Sequence, residues 1–308
     1  MSKVDEAIRR QPILWVTGAS GMLGHWICAM ALKRWQVFAF HWRHPLAVEG
    51  VKAVRADLTD DKALQGLFHA IEPQAVIHAA AVSQAGLCED DPDATHPINV
   101  RVPARLADLC ADQRIPLIFT STDLVFNGRK APYDEQSPVT PVSAYGRQKA
   151  QAEAAVLKGY PEALVARMPL MFGLGPRLSG NFSIEMLTAI RQGRPINLFT
   201  DELRTPVDYQ SAAQGLLKAL GRAKGLLHFG GTTAVSRYTL GILMAKQMGG
   251  ATSMLRPVSI DSFSTGITRS PDCTLNSSRA YALGYAPLPL SEGVKRVVDQ
   301  FNNVVSDQ

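Results

Sequence analysis

With 308 residues, 46% of them hydrophobic and 19% charged, the chain has globular composition and enough length for one large or two unequal domains. Its net charge of +5, from 32 basic and 27 acidic residues without a Lys/Arg block or an aromatic-interleaved basic stripe, argues against nucleic acid and suits an anionic small ligand. The charged start "MSKVDEAIRRQP" argues against a signal peptide, and no apolar run reaches bilayer-spanning length. The scattered Cys28, Cys88, Cys110 and Cys273 read as reduced, cytoplasmic residues, neither a disulfide frame nor a metal site.

Strand and helix alternate through the first half. "PILWVTG" predicts a buried strand and "GMLGHWICAMALKR" a helix. "WQVFAF" and "VKAVRADL" predict the second and third strands, "DDKALQGLFHAI" a helix and "PQAVIHAAA" a fourth strand. "HPINVRVPARLADLCADQ" predicts one long helix, "IPLIFTST" a strand, "SAYGRQKAQAEAAVLKGY" a helix and "EALVARMP" a strand. Near-continuous apolar strands separated by helices imply an α/β fold, a Rossmann-type doubly wound parallel sheet covered on both faces.

After about residue 170 the rhythm breaks at the Gly/Pro-rich "MFGLGPRLSGNF", followed by helices in "SIEMLTAIRQG", "YQSAAQGLLKAL", "RYTLGILMAKQMGG" and "EGVKRVVDQFNN". "GLLHFGG" offers one more strand to the main sheet. The expected division is a dinucleotide-binding domain over residues 1–170 and 204–232, with a smaller α/β substrate domain over residues 171–203 and 233–308.

"WVTGASGMLGHW" joins the first strand to the first helix with Gly18, Gly21 and Gly24 spaced three apart. Glycine there permits a tight turn and close approach to a pyrophosphate, and the helix N-terminus supplies amide donors. The expected cofactor-binding residues of this turn are Gly18, Ser20, Gly21, Met22, Leu23 and Gly24. The second strand ends in His41, Arg43 and His44, with no acidic residue between Gly18 and Glu49 to hold an adenosine ribose diol. A guanidinium binds a 2′-phosphate that a carboxylate would repel, so Arg43 favours NADP over NAD. Asp57 and Leu58 are expected at the adenine edge. Tyr145 and Lys149 in "SAYGRQKA" stand one helical turn apart, a spacing that by itself equally describes a half-buried tyrosine beside a solvated lysine.

Taken in order, "TGASGMLG", "HAAA", "STD", "YGRQK" and "ARMPLMFG" resemble the extended short-chain dehydrogenase/reductase family, most closely the dTDP-4-dehydrorhamnose reductases. The resemblance implies a catalytic set of Thr122, Tyr145 and Lys149. Reducing a carbonyl needs hydride at carbon and a proton at oxygen. A phenol beside an ammonium, which would lower its pKa, can supply the proton, and a threonine hydroxyl can orient the carbonyl. It further implies that Ala79, Ala80 and Ala81 line the cofactor together with Tyr145 and Lys149, and that Asn99 supports the local helix and a proton relay. Ser83, Asp123 and Leu170 fall at substrate positions, and Arg204 and Arg269 become candidates for a substrate diphosphate, ahead of Arg237 and Tyr238. His25 and His78 read as packed residues.

The implied activity is NADPH-dependent reduction of a ketone, with a nucleotide-linked 4-keto-6-deoxysugar as substrate class. Leu124 stands where related dehydratases carry a glutamate base, which sets elimination aside. Leu124 and Leu170 also replace aromatic residues that usually meet the sugar, leaving a different keto sugar or a non-sugar ketone open. A regulatory subunit of methionine adenosyltransferase resembles the same family, so an NADP-binding protein without turnover is the expectation of a different class. Related enzymes are often dimers, and a homodimer is a further expectation.

Overall fold

The computed structural model describes residues 11–46, 48–175, 181–262 and 268–306. The charged N-terminal segment therefore lies outside the described residues, apart from its last two positions. Seven parallel strands form the main sheet: β1 (Ile13–Thr17), β2 (Gln36–His41), β3 (Lys52–Arg55), β4 (Ala75–His78), β5 (Leu117–Thr122), β6 (Leu164–Met168) and β11 (Gly225–His228). Their order is β11-β6-β5-β4-β1-β2-β3. The chain runs outward from β1 in one direction and from β4 in the other, so a crevice opens beyond the C-terminal ends of these two strands. The expected doubly wound sheet is what forms, and "GLLHFGG" joins its edge beside β6.

Alternating side chains cover the two faces. On one, Leu14, Val16, Val37, Ala39, Ile77 and Ala166 pack with Ile27 of α1 (Met22–Ala31) and Ala212, Ala213 and Leu216 of α8 (Tyr209–Ala219). On the other, Trp15, Phe40, Val76, Phe119 and Val165 meet Phe68 of α2 (Asp61–Ile71), Leu106 of α5 (Val102–Gln113) and Ala152 and Val156 of α6 (Ala144–Gly159). Trp15 stacks on Phe40 with ring centres 3.7 Å apart. A separate core joins Ile184 and Leu187 of α7 (Phe182–Gln192), Leu240 and Met244 of α9 (Arg237–Gln247) and Val294, Val298 and Phe301 of α11 (Leu290–Ser306).

Three details differ from the expected elements. The long helix begins only at Val102, preceded by the short helices α3 (Ala85–Asp90) and α4 (Pro92–His96) and a π-helical turn over Pro97–Arg101. The third strand stops at Arg55 and is largely exposed, because it has a neighbour on one side only. Short pairs also form: β7 (Met171–Phe172) with β10 (Val207–Asp208), β9 (Leu203–Arg204) with β12 (Val235–Ser236), and β8 (Ile196–Phe199) with β13 (Leu255–Val258). Two-residue strands carry no readable periodicity. Among the described residues no helix is long and apolar enough to cross a membrane.

Candidate active site

A cavity of about 960 Å³ opens along the C-terminal ends of the main strands and brings together residues from many separate stretches of chain. One end is the turn between β1 and α1. Gly18 there has φ of 67°, in the left-handed region, and a Cβ on it would lie 2.7 Å from the Ala79 carbonyl carbon. A Cβ on Gly24 would lie 2.2 Å from the Gly18 carbonyl oxygen, so only glycine lets α1 start this close to the strand. Ser20, Gly21, Met22 and Leu23 line the same wall, as do Ala79, Ala80, Ala81 and Ser83 beyond β4.

The backbone opposite Gly18 is held by a small device. Thr17 Oγ1 accepts the N–H groups of Ala79 and Ala80, each at 3.1 Å, and sits 2.8 Å from His78 Nδ1. With two donors already on the hydroxyl oxygen, its own proton goes to Nδ1, which places the imidazole proton on Nε2. That nitrogen is buried and has no hydrogen-bond partner among the described residues. Burial, then the nearby Lys149, pushes the His78 pKa down to about 3. His78 is thus a packed, neutral residue that props the cavity wall without lining it.

At the far end of β2 the wall is made by His41, Trp42, Arg43 and His44, with Asp57, Leu58 and Thr59 beside them. Arg43 is exposed. Asp57 Oδ1 accepts from the Thr59 amide at 2.9 Å and its hydroxyl at 2.7 Å, which shapes the turn after β3.

Thr122, Tyr145 and Lys149 line the same cavity. Ser143 caps α6 by accepting the Gly146 N–H at 3.1 Å, and Glu89 Oε1 accepts the Ala144 N–H at 2.6 Å. These contacts fix the first turn of the helix and hence Tyr145. Asn99, buried in the π-helical turn, accepts from Val82 N at 2.9 Å and donates to Val82 O at 3.1 Å and Gln148 Oε1 at 2.7 Å. It therefore ties the loop after β4 to the turn of α6 that carries Lys149.

Burial dominates the electrostatics. It pushes the Tyr145 phenol up, with Cys88 and Asp123 adding to the effect. The net shift is therefore upward, against the expectation of a phenol brought below its ordinary value. Burial also brings Lys149 down to about 7, opposed by Glu153 one turn further along α6. Much of the Glu153 charge is already taken by Arg167, whose Nη2 donates to it at 2.7 Å.

Thr122 accepts the Leu124 N–H at 3.2 Å and donates to Asp123 Oδ1 at 3.2 Å. Asp123 is raised to about 6 by burial, against the lowering effect of Arg204. Leu124, the residue after "STD", packs on Cys88, Ala144 and Tyr145 and also lines the cavity.

Arg204 requires a correction. It lines the cavity, but its Nε faces Asp123 Oδ2 at 3.2 Å and its Nη1 donates to Leu203 O at 2.6 Å and Pro271 O at 3.2 Å. Its Nη2 donates to Ser270 O at 3.0 Å and lies 3.6 Å from Glu202. Three of its N–H groups go to backbone carbonyls and its remaining edges face the carboxylates of Asp123 and Glu202, so Arg204 is turned toward the protein rather than toward a substrate diphosphate. Arg269 and Leu170 line the cavity, as does Arg237, which ranked lower in the sequence. Tyr238 packs instead against the core of α7, α9 and α11. Glu202, where the arginines meet, escaped sequence reading; an acid two residues before Arg204 in "DELR" was its only signal.

A family model described as the RmlD substrate binding domain matches residues 12–303. Methionine adenosyltransferase 2 subunit beta of Mus musculus is 27% identical over 289 residues, covering 91% of this chain and 85% of its own. The dTDP-4-dehydrorhamnose reductase of Mycolicibacterium smegmatis is 27% identical over 277 residues, covering 89% and 80%. Among solved structures, a dTDP-4-dehydrorhamnose reductase of Bacillus anthracis in complex with NADP superimposes with a TM-score of 0.83 at 20% identity, covering 94% of this chain and 99% of that one. At that identity the likeness speaks for the fold alone.

Proposed function

This chain belongs to the RmlD substrate binding domain family, and from that premise we propose that it is an NADPH-dependent reductase of a ketone, with nucleotide-linked 4-keto-6-deoxysugars as its substrate class. The observation that carries the reading is the placement of Thr122, Tyr145 and Lys149 on the wall of the cavity that begins at the glycine-rich turn. The cofactor fits that turn, where a side chain on Gly18 or Gly24 would collide with backbone and where a helix N-terminus offers unpaired amides to an anion. Gly18, Ser20, Gly21, Met22, Leu23 and Gly24 would hold the diphosphate, Arg43 the 2′-phosphate, Asp57 and Leu58 the adenine edge, and Ala79, Ala80 and Ala81 the central portion.

The chemistry that NADPH would supply along that wall is a hydride to the carbonyl carbon. Tyr145, kept protonated by its burial, donates its phenolic proton to the ketone oxygen as the alcohol forms. Lys149, one turn away and poised near neutrality, stabilises the resulting phenolate and can return a proton to it. Thr122 would orient the carbonyl by turning its hydroxyl proton from Asp123 Oδ1 to the ketone oxygen, while the Leu124 amide holds the hydroxyl oxygen in place. Ser83, Asp123, Leu170 and Arg269 line the same cavity and would be the groups to meet the substrate. The division into residues 1–170 with 204–232 and residues 171–203 with 233–308 belongs to this reading, supported by the edge strand β11 and the separate core around α9 and α11.

The likeness to methionine adenosyltransferase 2 subunit beta favours a second reading, an NADP-binding subunit that serves a protein partner. NADPH oxidation against a panel of nucleotide-linked 4-keto sugars and simple ketones separates the two. Turnover on a keto sugar supports the first reading; tight NADPH binding with no turnover on any ketone supports the second.

A further inference from the structure

The inference concerns the anion-binding end of the same cavity and rests on the nucleotide-sugar reading above. Three guanidinium groups converge there on one carboxylate. Glu202 is only 3% exposed. Its Oε2 pairs with Arg237 Nε, while its Oε1 lies 3.3 Å from Arg269 Nη1 and 3.6 Å from Arg204 Nη2. Arg204 also donates to three backbone carbonyls, whereas Glu202 is the one ion-pair partner of Arg237 and of Arg269 among the described residues. Their side chains are 23% and 25% exposed, and both line the cavity. Each guanidinium lies over an aromatic ring, Arg237 with its central carbon 4.8 Å from the centre of Phe182 and Arg269 4.7 Å from that of Phe199. Among the described residues, Arg269 Nε is buried without a hydrogen-bond partner.

Two guanidiniums, each over an aromatic ring and with donors to spare at a cavity wall, form a fork suited to phosphoryl oxygens. Glu202 holds that fork by presenting two oxygens where a phosphate would present its own. The three arginines against Glu202 and Asp123 leave one positive charge in excess, too little to balance a diphosphate fully while the carboxylate stays in place. Ligand and carboxylate must therefore share or exchange donors.

We propose that Glu202 is an internal stand-in for the ligand's anionic group: it holds the Arg237–Arg269 clamp and yields those donors to a ligand diphosphate, setting both the affinity for the nucleotide and the rejection of neutral ligands. Glu202→Gln keeps the shape and removes the competing charge. Calorimetry with dTDP and with inorganic pyrophosphate as probes should show binding about tenfold tighter than wild type, a difference of one screened charge contact. Arg237→Gln should weaken both probes by at least about tenfold, and NADPH affinity should be unchanged in both variants. If Glu202→Gln melts early, Glu202→Asp, whose carboxylate is drawn back by one methylene, should still tighten both probes.

Weaker or unchanged probe binding in a Glu202 variant that melts like wild type overturns the proposal and makes Glu202 a strut for the arginines. Failure of both probes to bind any variant overturns the proposal and the nucleotide-diphosphate reading together. Tighter pyrophosphate binding in Glu202→Gln, with no keto sugar turned over, supports the clamp while removing the reductase reading.

Discussion

Lys149 Nζ lies 4.0 Å from the centre of the Phe119 ring, so the ammonium beside Tyr145 rests on an aromatic face in the interior of the protein. Its pKa of about 7, against 10.5 when unfolded, means that the unfolded chain binds more protons between those values. Stability therefore rises with pH across that window, and at neutral pH the lysine destabilises the fold by on the order of a few kcal/mol. Lys149→Met should raise the melting temperature at pH 7 and slow ketone reduction at least about 100-fold. A variant that melts earlier than wild type would mean that the lysine is held by partners stronger than Phe119 and Glu153.

Asn99 mimics a backbone strand edge toward Val82 and also holds Gln148. Asn99→Ala leaves the Val82 amide and carbonyl and the Gln148 side chain short of partners in a buried site. The expected cost is about 2–4 kcal/mol in urea unfolding, from two or three unmet polar groups. Turnover should fall more than NADPH affinity, because α6 shifts while the glycine-rich turn does not.

These two cases show what was legible in the sequence. The glycine-rich turn could be read because strand, turn and helix are contiguous, and every candidate from Gly18 to Ala81 lies on one cavity. Tyr145 and Lys149 could be placed on one helix face, but the depth at which they sit depends on packing from Phe119 and Cys88, which no local pattern encodes. The Asp123–Arg204–Glu202 cluster joins residues some eighty positions apart through short strands without periodicity. Arg204 therefore looked like a free cation when it is an internal one. The break between α4 and α5 escaped for a related reason, since a π-helical turn preserves the apolar spacing on either side.

Two buried histidines set the acid limit of the fold. His78 and His228 are both depressed to about 3 from an unfolded value of 6.5, in each case chiefly by burial. The unfolded chain binds more protons between those values, so stability is lost as pH falls below about 6.5. From pH 7 to pH 5 each should cost roughly 2 kcal/mol. Asp123, raised from 3.8 to about 6, runs the opposite way and offsets roughly 1 kcal/mol. Urea unfolding at the two pH values should show the net loss, and His228→Gln should remove much of it. A stability independent of pH in this range would mean that one of these imidazoles is protonated in the folded state.

Arg43 is the cation placed at the end of β2, where no carboxylate precedes Glu49. Arg43→Asp should lower NADPH affinity at least about tenfold and bring the preference round to NADH, as removing one charge-assisted phosphate contact and adding a repulsive one requires. An unchanged NADPH/NADH ratio would assign the 2′-phosphate to another group, with His41 and His44 the nearest on that wall.

The central claim is that the Tyr145 phenol delivers the proton. Tyr145→Phe keeps the ring packed against Leu124 and Cys88 while removing only the hydroxyl. The decisive measurement is NADPH consumption by this variant and by wild type on a nucleotide-linked 4-keto sugar, with NADPH affinity determined separately for each. The expected result is unchanged NADPH affinity with turnover reduced by about 100- to 10,000-fold. Wild-type-like turnover in Tyr145→Phe would contradict it and move the proton source elsewhere in the cavity.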